Sequence, residues 1–137
     1  MKHESITEES VGAFVNAFYA KIRRDEALAP IFNEALSERW GEHIATMREF
    51  WCSAAHLKSG YRGDMLAAHR MVRKLDQSLF PRWLALFEET AAECFASAPA
   101  TLLCDRALRI ARNLETALFR SLPFPTPETR ERTRQAR

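Results

Sequence analysis

Apolar residues recur every three or four positions along most of this chain, the spacing that turns one face of a helix inward. Val11, Phe14, Val15, Phe18 and Ile22 make the first such stripe, and Tyr19 extends it. Ahead of it, Thr7 can cap, Glu8 and Glu9 suit the positive helix end, and Ile6 can staple onto Val11. The stripe ends in the charged run from Arg23 to Glu26. A second stripe holds Trp40, His43, Ile44, Met47, Phe50, Trp51 and Ala54, with Ser37 placed to cap it. Between the two, Leu28 to Asn33 reads as an apolar corner, because Pro30 biases Ala29 away from helix. Phe32 is then anchored in a turn and belongs to no stripe.

Two glycines in the stretch Lys58 to Gly63 break the second helix. Asp64 can cap a short third stripe in which Met65, His69, Val72 and Arg73 share a side. Asp76 or Ser78 opens the next helix, with Pro81 tolerated in its first turn. Leu79, Trp83, Leu86, Phe87, Cys94 and Phe95 line that helix, and Ala98-Pro99 is expected to end it. The last helix runs from about Thr101 with Leu103, Ala107, Ile110, Ala111, Leu114 and Leu118 inward, until Pro123, Pro125 and Pro127 stop it. The expected fold is all-α, one domain over residues 1–122, followed by a disordered polar tail over 123–137.

Composition narrows the class without changing this picture. Apolar residues make up 47% and charged residues 28%, which marks a globular chain, and four glycines and six prolines are too few for a turn-rich β-fold. Much of the net charge of +2 belongs to the tail, where Arg130, Arg132, Arg134 and Arg137 outnumber Glu128 and Glu131. The folded part is near neutral, and nothing demands a nucleic-acid or membrane partner. Three widely spaced cysteines, Cys52, Cys94 and Cys104, fit reduced core thiols in a cytoplasmic protein better than a disulfide framework.

The candidate chemistry is a set of polar-tipped residues on these apolar faces: Tyr19, His43, His69 and Trp83. Taken singly, each is most simply a satisfied core residue. Together they need several hydrogen-bond or metal partners within one small core. A planar iron cofactor would use such a set, with His69 on the metal and the other three facing a bound ligand. The competing reading is a cofactor-free helical interaction module in which the same groups satisfy one another. Other centres lack their motifs: there is no close Cys/His pairing for zinc, no Glu-x-x-His of a di-iron bundle, no phosphate loop and no Gly-x-Ser-x-Gly. Arg62, Arg70, Arg73 and Lys74 surround His69 in sequence, either as a solvated basic face or as partners for anionic groups on a cofactor. Arg73, one turn beyond His69, is the first candidate for that contact.

Several segments in order complete the pattern: Ala17-Phe-Tyr19, Pro30-Ile-Phe-Asn33, Glu42-His43, Phe50-Trp51, Tyr61-x-Gly63, His69, and Arg82-Trp-Leu-Ala-Leu-Phe-Glu-Glu89. With these the chain resembles the truncated haemoglobins, specifically group III, over about Ile6 to Leu122. The absence of a Gly-Gly pair sets it apart from groups I and II. The resemblance implies a two-over-two helical sandwich around haem b. It makes His69 the proximal iron ligand and places Tyr19, His43 and Trp83 on the distal side. Met47 and Phe50 become apolar pocket wall, and Phe32 packs against the porphyrin. Dioxygen or another diatomic molecule is the implied ligand, with nitric oxide dioxygenation or peroxidase-like turnover as further activities that would draw on a separate reductase. His43 either gates the pocket or binds iron itself, and a monomer is expected. The chain departs from the family where prolines commonly follow the proximal histidine: Arg70 to Leu75 has none, and Met65 stands where a proline is expected. The His69 helix is therefore expected to be longer or set differently.

Overall fold

The computed structural model describes residues 2–57 and 63–120. The glycine break with Tyr61 and Arg62, and the tail from residue 121 onward, lie outside the described residues. Six α-helices follow in order: α1 (Glu8–Ile22), α2 (Leu28–Leu36), α3 (Trp40–Ala54), α4 (Met65–Arg70), α5 (Leu79–Cys94) and α6 (Ser97–Glu115), the last running on into a π-helical turn, Thr116–Arg120. The architecture is all-α.

α1 begins where its sequence says it should. The Thr7 hydroxyl accepts from the Ser10 backbone N–H at 3.0 Å, and Ser10 Oγ accepts from the Thr7 N–H at 2.8 Å, closing a reciprocal capping box. Removing the threonine hydroxyl orphans one donor, so Thr7→Ala is expected to cost about 1 kcal/mol of stability, read as a lower urea midpoint at constant slope.

Leu28 to Leu36 is helical, where the sequence suggested a corner. Pro30 occupies the third position of α2, where its missing N–H would have had no intrahelical partner in any case. The cap comes from Asp25, whose Oδ2 accepts from the N–H groups of Ala27 and Leu28 at 3.1 and 2.9 Å. The same carboxylate accepts from Arg82 Nε on α5 at 2.7 Å. That guanidinium, followed by the two backbone N–H groups, holds the Asp25 carboxyl below its ordinary range against the opposing effect of burial.

Two further boundaries differ from expectation. Ser37 does not cap α3: at φ 53° it closes α2, donating its N–H to Asn33 O at 2.8 Å, and α3 starts after Arg39 with no side-chain cap. Ala98-Pro99 does not end α5; it lies in the first turn of α6, with Pro99 again at the third position. What ends α5 is Phe95, extended and bridged to His3, which donates its N–H to Cys94 O and accepts from the Ala96 N–H, both at 2.8 Å. His3 is half-buried with its ring 5.9 Å from that of Phe95.

α1 packs against α3 and α5, and α5 against α6. Their meeting point is aromatic: Phe87 of α5 lies 4.8 Å from Phe14, 5.3 Å from Phe18 and 4.9 Å from Trp51, centroid to centroid. A smaller apolar cluster of Phe80, Ala111 and Leu114 takes Met65 and Leu66 of α4 against it. α4 is different in kind from the rest, because none of its residues is fully buried. Cys52 is buried, Cys94 and Cys104 are half-buried, and none of the three is in a disulfide. Among the described residues no helix is long and apolar enough to cross a membrane.

Candidate functional site

Tyr19 lies one residue after Phe18 on the inward face of α1 and is 3% exposed. Its hydroxyl is 3.2 Å from His43 Nε2. His43 comes from the first turns of α3, where its N–H closes onto Arg39 O at 3.0 Å. Phe32 of α2 stands edge-on to both, 6.0 Å from the Tyr19 ring and 6.1 Å from that of His43. Met47 and Phe50 continue the His43 face one and two turns on, half-buried against the core.

Trp83 reaches the same region from α5. Its ring meets Phe18 edge-on at 5.4 Å, while Tyr19 lies 5.2 Å from Phe18. Phe18 therefore spaces two hydrogen-bond donors delivered by different helices. Trp83 is half-buried, and no hydrogen-bond partner for its indole N–H is found among the described residues.

His69 sits near the end of α4, whose start is fixed by Asp64 Oδ1 accepting from the Ala67 N–H at 3.0 Å. Its Nδ1 is 2.7 Å from Met65 O. A carbonyl can only accept, so the proton belongs on Nδ1 and the lone pair on Nε2. That is the tautomer a metal-ligating histidine needs, with its second nitrogen already oriented by a carbonyl. Among the described residues no three His, Cys, Asp or Glu side chains converge to hold a bare ion. A single oriented imidazole suits a metal whose other ligands come from a macrocycle. This donor chemistry fits haem.

Electrostatics link the two histidines. Burial, then the charges of His69 and Arg39, pull the His43 pKa from 6.5 to about 4. His43 is thus a neutral imidazole near pH 7. Burial also pushes the Tyr19 phenol well above its ordinary range, so its hydroxyl keeps its proton. The sign of the His43 shift has a consequence for stability. Its unfolded-state value of 6.5 exceeds the folded one of about 4, so the unfolded chain binds the extra proton between those values. Stability is therefore full above about pH 6.5 and falls as pH drops toward 4, by on the order of 3 kcal/mol. Urea midpoints at pH 7 and pH 4.5 measure this, and His43→Gln should flatten most of the difference.

The structure brings Tyr19, His43 and Phe32 together, sets Trp83 against the same Phe18 that Tyr19 touches, places Met47 and Phe50 further along α3, and carries His69 on a separate short helix. Arg73 is placed elsewhere. α4 stops at Arg70 and Lys74 turns the backbone to φ 62°, so Arg73 is not on the His69 face of a helix. Its guanidinium is 79% exposed and 3.6 Å from Glu34 of α2. Of the two expectations for the His69 helix, longer or set differently, the first is not met: α4 has six residues. Sequence reasoning put Trp40 in a stripe but missed its place beside the site, 6.3 Å from Tyr19 and 6.0 Å from Phe32. The three-residue spacing of Trp40 and His43 was the available signal.

No family model matches the chain. Over 123 residues it is 33% identical to the group 3 truncated hemoglobin ctb of Campylobacter jejuni, covering 88% of this chain and 97% of that protein. The crystal structure of group III truncated hemoglobin from Campylobacter jejuni superposes with a TM-score of 0.83 at 33% identity, over 88% of this chain and 97% of that one. Identity at that level across almost the whole relative, on top of an imidazole prepared for a macrocyclic metal, displaces the cofactor-free module: this globin-type haem protein belongs to the group III truncated haemoglobins.

Proposed function

We propose that the chain binds haem b through His69 Nε2 and retains dioxygen or another diatomic ligand on the side of Tyr19, His43 and Trp83. Haem held by His69 would supply a ferrous iron able to bind a diatomic ligand. The observation that carries the reading is the buried Tyr19–His43 pair at 3.2 Å.

The pair has two proton arrangements. With no acceptor nearby, the Tyr19 hydroxyl donates to His43 Nε2. When a ligand offers an acceptor, His43 can carry its proton on Nε2 and donate to Tyr19 Oη, which frees the phenolic O–H to point at the ligand. Each bond polarises the next, so the second arrangement strengthens the donor where it is used. Trp83 adds an N–H from the opposite side of Phe18. A donor facing a charged acceptor contributes ~1.5–3 kcal/mol, which slows ligand escape by roughly ten- to a hundredfold.

Phe32, Met47 and Phe50 exclude water from this side, which raises the worth of each donor. The ion pair of Arg73 with Glu34 is exposed and worth ~0–1 kcal/mol, so a cofactor carboxylate can draw the guanidinium away. The globin unit is residues 1–122, and three cysteines outside any disulfide suit a reducing cytoplasm. Redox turnover would take electrons from a separate donor protein.

Stopped-flow displacement of dioxygen tests the reading. Release from the wild-type ferrous protein should be slow, and Trp83→Phe should speed it about tenfold. Fast release that Trp83→Phe leaves unchanged contradicts a polar distal side.

A further inference from the structure

Trp40 opens α3 three residues ahead of His43, so the two side chains are neighbours one turn apart. Its ring is 7% exposed and gathers residues from α1 and α2 around it. From α2, Asn33 Oδ1 accepts from the indole N–H at 3.2 Å. Also from α2, Phe32 stacks at 6.0 Å with an interplanar angle of 24°. From the end of α1, Arg23 sets its guanidinium carbon 4.5 Å from the ring centroid. Tyr19 meets the ring edge-on at 6.3 Å and 69°.

Burial alone does not single out tryptophan, since any large apolar side chain is driven inside, though a smaller one would leave part of the volume unfilled. What tryptophan alone supplies is the N–H that Asn33 accepts and the extended face that favours a cation. Both are directional, and both are made to residues at the surface, since Arg23 and Asn33 are exposed. Orientation, more than burial, is what they supply. The part of the site with most need of orientation lies next to it: at 3.2 Å, the Tyr19–His43 bond is at the long end of useful geometry. A small tilt of either ring would break it.

We infer that Trp40 is the positioning residue of the Tyr19–His43 pair, with Asn33 and Arg23 holding its indole so that the phenol and the imidazole stay within hydrogen-bond reach. This rests on the reading of Tyr19 and His43 as the distal pair. Trp40 acts through Tyr19 and Phe32 and does not itself touch the ligand.

The test compares wild type, Asn33→Ala, Asn33→Asp, Trp40→Phe and Tyr19→Phe in two readouts. One is the carbon monoxide stretching band of the ferrous protein, which reports the polarity facing the ligand. The other is the set of ring-to-ring NMR Overhauser contacts between Tyr19 and His43 in the haem-free chain. Asn33→Ala and Trp40→Phe each remove the same bond and should each split or broaden the band, weaken the Tyr19–His43 contacts, and speed dioxygen release about three- to tenfold. The double variant should add nothing to either. Asn33→Asp keeps an acceptor oxygen and should keep the wild-type band. Lower melting temperatures with an unaltered band and unaltered Tyr19–His43 contacts would overturn the inference and make Trp40 simple packing. A wild-type band that Tyr19→Phe does not move would instead overturn the distal reading itself, whatever the Trp40 variants do. Asn33→Ala changes an exposed residue and leaves the core filled, so a folded variant is available even if Trp40→Phe is lost.

Discussion

His69→Gly abolishes stable haem retention and leaves the fold standing. A change that only disorients a metal ligand costs ~10–100-fold in affinity, and removing the ligand itself exceeds that. Two features of α4 make the experiment clean. The helix has no fully buried residue, so trimming a half-buried ring there leaves the core of Phe14, Phe18, Trp51 and Phe87 untouched. The His69 side chain bonds Met65 O within the same helix, so removing the ring orphans no distant partner. The melting temperature of the haem-free variant should match that of the haem-free wild type within a few degrees, while haem transfers rapidly to an acceptor protein. Imidazole added in solution can occupy the vacated place and should restore much of the retention. Loss of haem with simultaneous loss of the fold, or full retention without His69, contradicts the assignment.

Tyr19→Phe carries the second large effect, a dioxygen release faster by roughly ten- to a hundredfold. The substitution keeps the ring and its contacts with Phe18, Phe32, Trp40 and His43 and removes only the hydroxyl. It also takes away the phenol that His43 Nε2 meets, a second cost of about 1 kcal/mol on stability. His43 can answer this by rotating toward water, which its half-buried position allows. Ligand entry should then quicken in the variant along with exit. Stopped-flow and flash-photolysis rates on the two proteins measure both. Unchanged exit rates would remove Tyr19 from the ligand's surroundings.

The long helices were legible because each carries an uninterrupted stripe. Val11 to Ile22 and Trp40 to Ala54 are such runs, and their ends moved by no more than a few residues. The errors share one physical cause. Pro30, Pro81 and Pro99 each occupy the third position of a helix, where the ring needs no broken hydrogen bond. Only Pro81 was read that way; the other two were taken as signs against helix. Ser37 misled for a related reason. A serine ahead of a stripe commonly caps it, but here the left-handed backbone at φ 53° makes it the end of the preceding helix.

At the site, sequence gave residue types and helix faces, and the fold supplied what they meet. The Tyr19 and His43 stripes predicted that both point inward, but 24 residues separate them and nothing in the spacing announces a shared bond. Arg73 illustrates the opposite case. Its position four residues after His69 implies one helix face only while the helix lasts, and no glycine or proline between Arg70 and Leu75 signals that α4 stops at Arg70. Lys74 makes the turn at φ 62° in a residue type that rarely does so.

The central claim is that one haem is held between His69 and the Tyr19, His43 and Trp83 face. Titrating the purified haem-free chain with haem and following the Soret band tests it most directly. The account expects saturation at one haem per chain and, on reduction, a five-coordinate ferrous spectrum that becomes six-coordinate when carbon monoxide is added. Uptake that never saturates, or a spectrum identical to free haem at every ratio, would contradict it.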